Sequence, residues 1–103
     1  MDLVNSINKI PIRLTQERWF HITEGHSELA GHYYTVLECI GFPDVIYKGS
    51  IDELIAVKEL DNRKYIVVVY KEINDHDGFI ITAFLTGRIN QFERREKVWV
   101  KQM

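Results

Sequence analysis

Cysteine is almost absent from this chain. The single Cys39 excludes an intramolecular disulfide and a thiolate metal cluster. Its place in the apolar run VLECIGF points to a buried, inert thiol. No stretch approaches the ~20 apolar residues that a membrane-spanning helix needs. In the opening MDLVNSINK the apolar part is too short for a secretory signal. By elimination, a cytoplasmic location is the expectation. An excess of one charge is missing too, and a formal net charge of −2 gives no global attraction to nucleic acid. There is no glycine-rich phosphate loop, no Gly-x-Ser-x-Gly elbow and no local Cys–His signature, so nucleotide hydrolysis and serine or cysteine hydrolase chemistry lack support. Internal repeats and low-complexity segments are also absent.

What is there fits one folded domain. The 103 residues are 46% apolar and 27% charged, ordinary fractions for a chain that builds a modest core. The charge is unevenly spread. Residues 1–87 carry 8 Lys/Arg against 13 Asp/Glu, while residues 88–103 carry 5 against 2. The end therefore reads as a basic C-terminal tail in which Arg88, Arg94, Arg95 and Lys97 either meet an anionic partner or form a solvated basic end. Residues 1–9 are unpatterned and read as a loosely held arm.

Residues 10–32 concentrate the polar chemistry, with three of the four histidines, Trp19, Arg13 and Arg18. Thr15 ahead of Gln16-Glu17-Arg18 is a helix-start signal, and the spacing of Leu14, Trp19 and Ile22 predicts a helix over 15–23. After Gly25 a second periodicity predicts a helix over 27–40, stopped by Gly41. The pattern then changes to strands. Val45-Ile46-Tyr47, the run from Leu54 to Leu60, YIVVVY (65–70) and FIITAF (79–84) read as four strands, with turns at Asp61-Asn62-Arg63 and from Asn74 to Gly78. Short turns favour antiparallel neighbours. The expected class is α+β, with N-terminal helices packed on a four-stranded antiparallel β-sheet.

His21 and His26 flank the bend between the two expected helices, where side chains are held yet open to solvent. Each serves either as a general acid or base or as an ordinary helix-end or loop residue. His32, within the second helix, reads as structural, and His76 as an exposed turn tip. The spacings of His21, His26 and His32 match no zinc-hydrolase pattern, so no metal and no cofactor are expected. Strand alternation puts Ile80, Thr82 and Phe84 on one face, where the Thr82 hydroxyl is either a β-former or a donor to an anionic oxygen. Arg13, Lys58 and Arg88 are either phosphate-neutralising cations or solvated charges.

The opening IRLTQERWFHITEGHSEL, the middle PDVIYKG and the pair YIVVVY…GFIITAFLT resemble the barnase–EndoU–colicin–RelE (BECR) group of small bacterial and phage-borne domains, over about residues 12–86. The resemblance implies helices on a four-stranded antiparallel sheet and metal-independent endoribonuclease activity, as in a toxin or phage effector. It implies His21 and His26 as acid and base, Thr82 as a phosphate donor, and Arg13 or Lys58 as the neutralising cation. RNA is the implied substrate, and an inhibitor protein a possible partner. The acidic body, unlike the basic face of most RNA-cleaving toxins, gives the runner-up reading. There the chain is a catalytically inactive interaction domain that binds a protein or RNA partner on the same scaffold.

Overall fold

The chain begins as strand and not as a loose arm. In the computed structural model, which describes residues 1–61 and 63–102, β1 (Asp2–Asn5) and β2 (Pro11–Leu14) form an antiparallel hairpin that sets Asp2 opposite Leu14. Helix α1 (Gln16–Gly25) follows, then a 3-10 turn (Ser27–Leu29) and helix α2 (Tyr33–Gly41). The remainder runs through β3 (Val45–Lys48), β4 (Leu54–Glu59), β5 (Tyr65–Asn74), β6 (Asp77–Thr86), a second 3-10 turn (Ile89–Phe92) and β7 (Lys97–Val100). Asn62, the middle of the expected Asp61-Asn62-Arg63 turn, lies outside the described residues.

Local chemistry explains the helix boundaries. Thr15 is extended at the start of α1, and its hydroxyl oxygen accepts the Arg18 backbone N–H at 3.0 Å. The single helix expected over 27–40 is broken instead. Gly31 adopts the left-handed conformation at φ +86°, which no right-handed helix accommodates, so a 3-10 turn precedes it and α2 starts afresh after His32. Helix α2 buries Val36, Leu37, Cys39 and Ile40, whereas α1 buries only Ile22 fully.

The expected four-stranded sheet is contained in a larger one. Strands β3 to β6 do form an antiparallel meander, with β5 and β6 adjacent. The full sheet has seven strands in the order β1-β2-β6-β5-β4-β3-β7 and is mixed, because β2 runs parallel to β6. The four-stranded, helix-first architecture is therefore overturned. Three added strands of four residues each extend both edges; β1 leaves no mark in the sequence, β2 only the extended alternation of Ile10, Ile12 and Leu14, and β7 only Val98-Trp99-Val100, which reads as an edge strand or a helix end.

Both sides of the sheet are apolar. Under the helices, Ile12, Leu14, Ile66, Val68, Tyr70, Ile80 and Ala83 meet Ile22, Leu29, Val36 and Ile40. Cys39 lies wholly inside this layer and its thiol is pushed up by burial, as an inert core residue requires. On the other side, Tyr47, Ile55, Val57 and Val67 are covered by Phe92, whose ring stacks on Tyr47 at 5.5 Å, with Ile89 beside it. Residues 88–103 thus do not form a free tail. Two apolar anchors fold the segment across the sheet, and β7 then pairs with β3.

Gly78 sits where β2 meets β6, opposite Ile12. A Cβ there would come within 2.5 Å of Ile12 Cδ1 and 2.6 Å of the Lys71 carbonyl oxygen. The second contact is backbone and cannot swing away. Gly78→Ala should cost roughly 1–3 kcal/mol in urea unfolding. A variant as stable as the wild type would disprove this close approach.

Candidate nucleic-acid interface

A one-residue irregularity in β6 decides which side chains share a surface. Val69 pairs with Thr82, but Tyr70 pairs with Ile80, so Ile81 is an extra residue and the pairing shifts by one. The alternation expected for Ile80, Thr82 and Phe84 is therefore broken. Ile80 turns under the helices at 1% exposure, while Thr82 and Phe84 turn to the opposite, outer side with Val67 and Val69. Arg13 and Phe79 lie on that outer side too, because their neighbours Ile12, Leu14 and Ile80 point to the helix side. Lys71, paired with Phe79, joins them and holds Asp52 at 2.9 Å.

The Arg13 guanidinium is set in place by two donors. Its Nε and Nη2 donate to the two Asp77 carboxylate oxygens at 3.1 and 3.0 Å, and its carbon stands 5.6 Å from the centre of the Phe79 ring. Arg13, Thr15, Arg18, Phe79 and Ile80 line a cleft of about 110 Å³. Both guanidiniums therefore reach one small polar hollow.

Beyond Phe79, β6 has no strand on this side, since β2 pairs only with Gly78 and Phe79. Side chains occupy the margin instead. Arg18 Nη1 donates to the Ile81 carbonyl at 3.5 Å. The His26 ring lies 5.9 Å from the Phe84 ring, and its Nδ1 is 3.4 Å from a Glu28 oxygen. The Glu28 carboxyl is held below its usual value of 4.5, first by accepting its own backbone N–H, then that of Leu85, and by facing His26.

The five residues expected to act together do not form one site. Arg13, Thr82 and His26 share the outer margin of β6. His21 is exposed on α1, 3.9 Å from Glu24, with its ring edge-on to Phe20. Lys58 belongs to the other end of the fold, where its Nζ donates to the Phe42 carbonyl at 2.9 Å and closes the end of α2. Among the basic residues near the end of the chain, Arg95 donates to the Lys48 carbonyl at 3.3 Å, Lys97 opens β7 opposite Tyr47, and Arg94 is exposed. That edge lies four strand spacings from β6, roughly 19 Å away. Arg88, exposed just after β6, is the nearest of the four to the margin. Among the described residues no group of three His, Cys, Asp or Glu side chains gathers as a metal cage would require.

Sequence reasoning missed Phe79, Phe84, Lys71, Arg18 and Glu28 as members of this surface. Alternation already set Phe84 beside Thr82, but only the pairing register brings Phe79 to the same side, because FIITAF reads as an unbroken strand. No family model, no curated protein and no solved structure matches the chain. No helix among the described residues is long and apolar enough to cross a membrane.

Glu28 gives this margin a pH signature. Its carboxyl lies below the unfolded value, so its stabilising contribution is complete above about pH 4.5 and is lost as pH falls through the folded value. In urea unfolding, Glu28→Gln should therefore be weaker than the wild type near neutrality, with the gap closing on acidification. A gap unchanged down to about pH 3 would mean that the carboxylate does not hold the margin.

Proposed function

We propose that this domain binds single-stranded RNA along the outer margin of β6. The carrying observation is that the extra residue Ile81 brings Thr82 and Phe84 onto the surface already held by Arg13 and Phe79. Phe79 and Phe84 are half-buried rings on this margin, and stacking on an aromatic ring is a contact that every base can make. Arg13 and Arg18 supply charge for backbone phosphates, and the Thr82 hydroxyl supplies a donor. Further along this side Phe92 and Ile89 pack over the cluster of Tyr47, Val57 and Val67.

Cleavage is the second reading, and the His26–Glu28 pair is what favours it. A carboxylate 3.4 Å from Nδ1 orients an imidazole as a general base requires. His26 would take the ribose 2′-hydroxyl proton, the 2′ oxygen would attack the adjacent phosphorus, and the 5′ oxygen would leave with a proton. That last proton needs a second acid, and His21 sits apart beside Glu24. Binding without turnover is therefore the better supported reading.

Anisotropy titration of a fluorescent oligouridine tests it. Phe79→Ala and Phe84→Ala should each weaken binding by roughly 1–3 kcal/mol. Arg13→Gln should lower the salt slope by about 0.7, the loss of one phosphate contact. Arg94→Gln with Arg95→Gln should change neither, because that pair lies at the β7 edge. Absence of binding, or binding that the two phenylalanine variants leave intact, sinks the proposal. Cleavage that survives chelator and is abolished by His26→Ala but not His21→Ala would select the second reading.

A further inference from the structure

The helix side carries an unrelated surface. A groove of about 490 Å³ opens between β1, α1 and α2, walled by Trp19, Phe20, Tyr33 and Tyr34, with Asp2 at its rim. Its rings stand at right angles to one another. Trp19 and Tyr33 have centroids 5.2 Å apart at 85°, and Tyr33 and Tyr34 are 5.2 Å apart at 90°. Phe20 is 62% exposed and Tyr34 is 74% exposed, so two large rings face water with no protein neighbour to cover them. The arrangement is fixed at its base. The Tyr33 hydroxyl donates to an Asp2 oxygen at 2.6 Å, and burial followed by that carboxylate pushes its pKa up to about 12.

We propose that this groove binds the trimethylammonium head of a methylated lysine on a protein partner. The aromatic walls of the groove carry negative quadrupole potential on their ring faces, which attracts a cation that sheds water readily. Asp2 adds a full negative charge, and no Lys, Arg or His side chain lines the groove to oppose it. One Asp2 oxygen is already taken by Tyr33, which leaves few acceptors for the three N–H donors of an unmodified ammonium. A fully methylated head has no N–H to satisfy. The groove is open to solvent, and the exposed Met1 lines it on the β1 side, so a peptide chain can continue past the head.

The test is NMR titration of the intact chain, read at the indole N–H of Trp19 with Trp99 as an internal reference. Trp99 lines a separate hollow beside Phe42. The probes are a short peptide carrying trimethyl-lysine, the same peptide with unmodified lysine, choline, and 3,3-dimethylbutanol as the uncharged carbon counterpart of choline. The trimethylated peptide should shift Trp19 saturably and leave Trp99 unmoved. It should bind roughly tenfold more tightly than the unmodified peptide, and choline similarly more tightly than the alcohol. Tyr34→Leu keeps the surface apolar at an exposed position, and with Asp2→Asn it should weaken the peptide several-fold while the spectrum stays folded. Equal binding of choline and the alcohol would show only an apolar groove and overturn the cation assignment. Choline binding as tightly as the trimethylated peptide would overturn the protein-borne source, and no shift at Trp19 would overturn the site itself.

Discussion

Strand β6 is paired along its whole length with β5 but only at two residues with β2. The rest of its second edge has to be closed by something other than strand, since unpaired backbone donors and acceptors at a sheet edge invite association with another chain. Arg18 reaches the Ile81 carbonyl, Glu28 faces His26 at 3.4 Å, and the rings of His26 and Phe84 approach each other above this edge. The extra residue at Ile81 adds local twist, which turns the margin away from a flat edge. Arg18, His26 and Glu28 thus take the place of a neighbouring strand along this stretch of β6.

The charge layout follows from the same requirement. The chain is acidic overall, yet Arg13 and Arg18 both lie at the start of this margin, where β2 leaves β6 and α1 begins. Asp77 neutralises part of Arg13 while holding its guanidinium over the Phe79 ring. The result is a positioned cation and not a basic field, which suits recognition of a short strand more than long-range capture. The Lys and Arg excess after residue 87 is dispersed by folding. Arg95 is tied to Lys48, and Lys97 is built into an edge strand.

How far the sequence revealed this depends on length of signal. YIVVVY and FIITAF announced β5 and β6 because long β-branched and aromatic runs have few other fates. Thr15 announced α1 because a capping hydroxyl acts on a backbone N–H three residues ahead. Strand β1 was illegible because four residues hold at most two alternations, while β2 showed only as an extended lead-in at Ile10, Ile12 and Leu14, and β7 only as Val98-Trp99-Val100, which reads as an edge strand or as a helix end. The irregularity in β6 was illegible for another reason. Ile80, Ile81 and Thr82 are all good strand formers, and what makes Ile81 the extra one is Tyr70 on the partner strand burying against Ile80. Lys58 was misplaced because its partner, the Phe42 carbonyl, is sixteen residues away and visible only once α2 is folded.

Helix α1 is where fold and binding surfaces cannot be separated. Ten residues make a marginal helix in water, and this one fully buries Ile22 alone. Burial of one isoleucine contributes about 1.5–3 kcal/mol and the Thr15 cap about 1, against ordering of the whole segment. The remaining hold comes from its flanks. On one side Arg18 bonds the margin of β6, and on the other Trp19 packs edge-to-face against Tyr33, itself fixed by Asp2. The first contact belongs to the proposed RNA surface and the second to the aromatic groove. Side chains that would meet a ligand on either side are therefore those that seat the helix, so a substitution at Arg18 or Trp19 acts on stability and recognition together. Tyr34 is different, because it is largely exposed and contributes little to seating α1, and it separates the two roles.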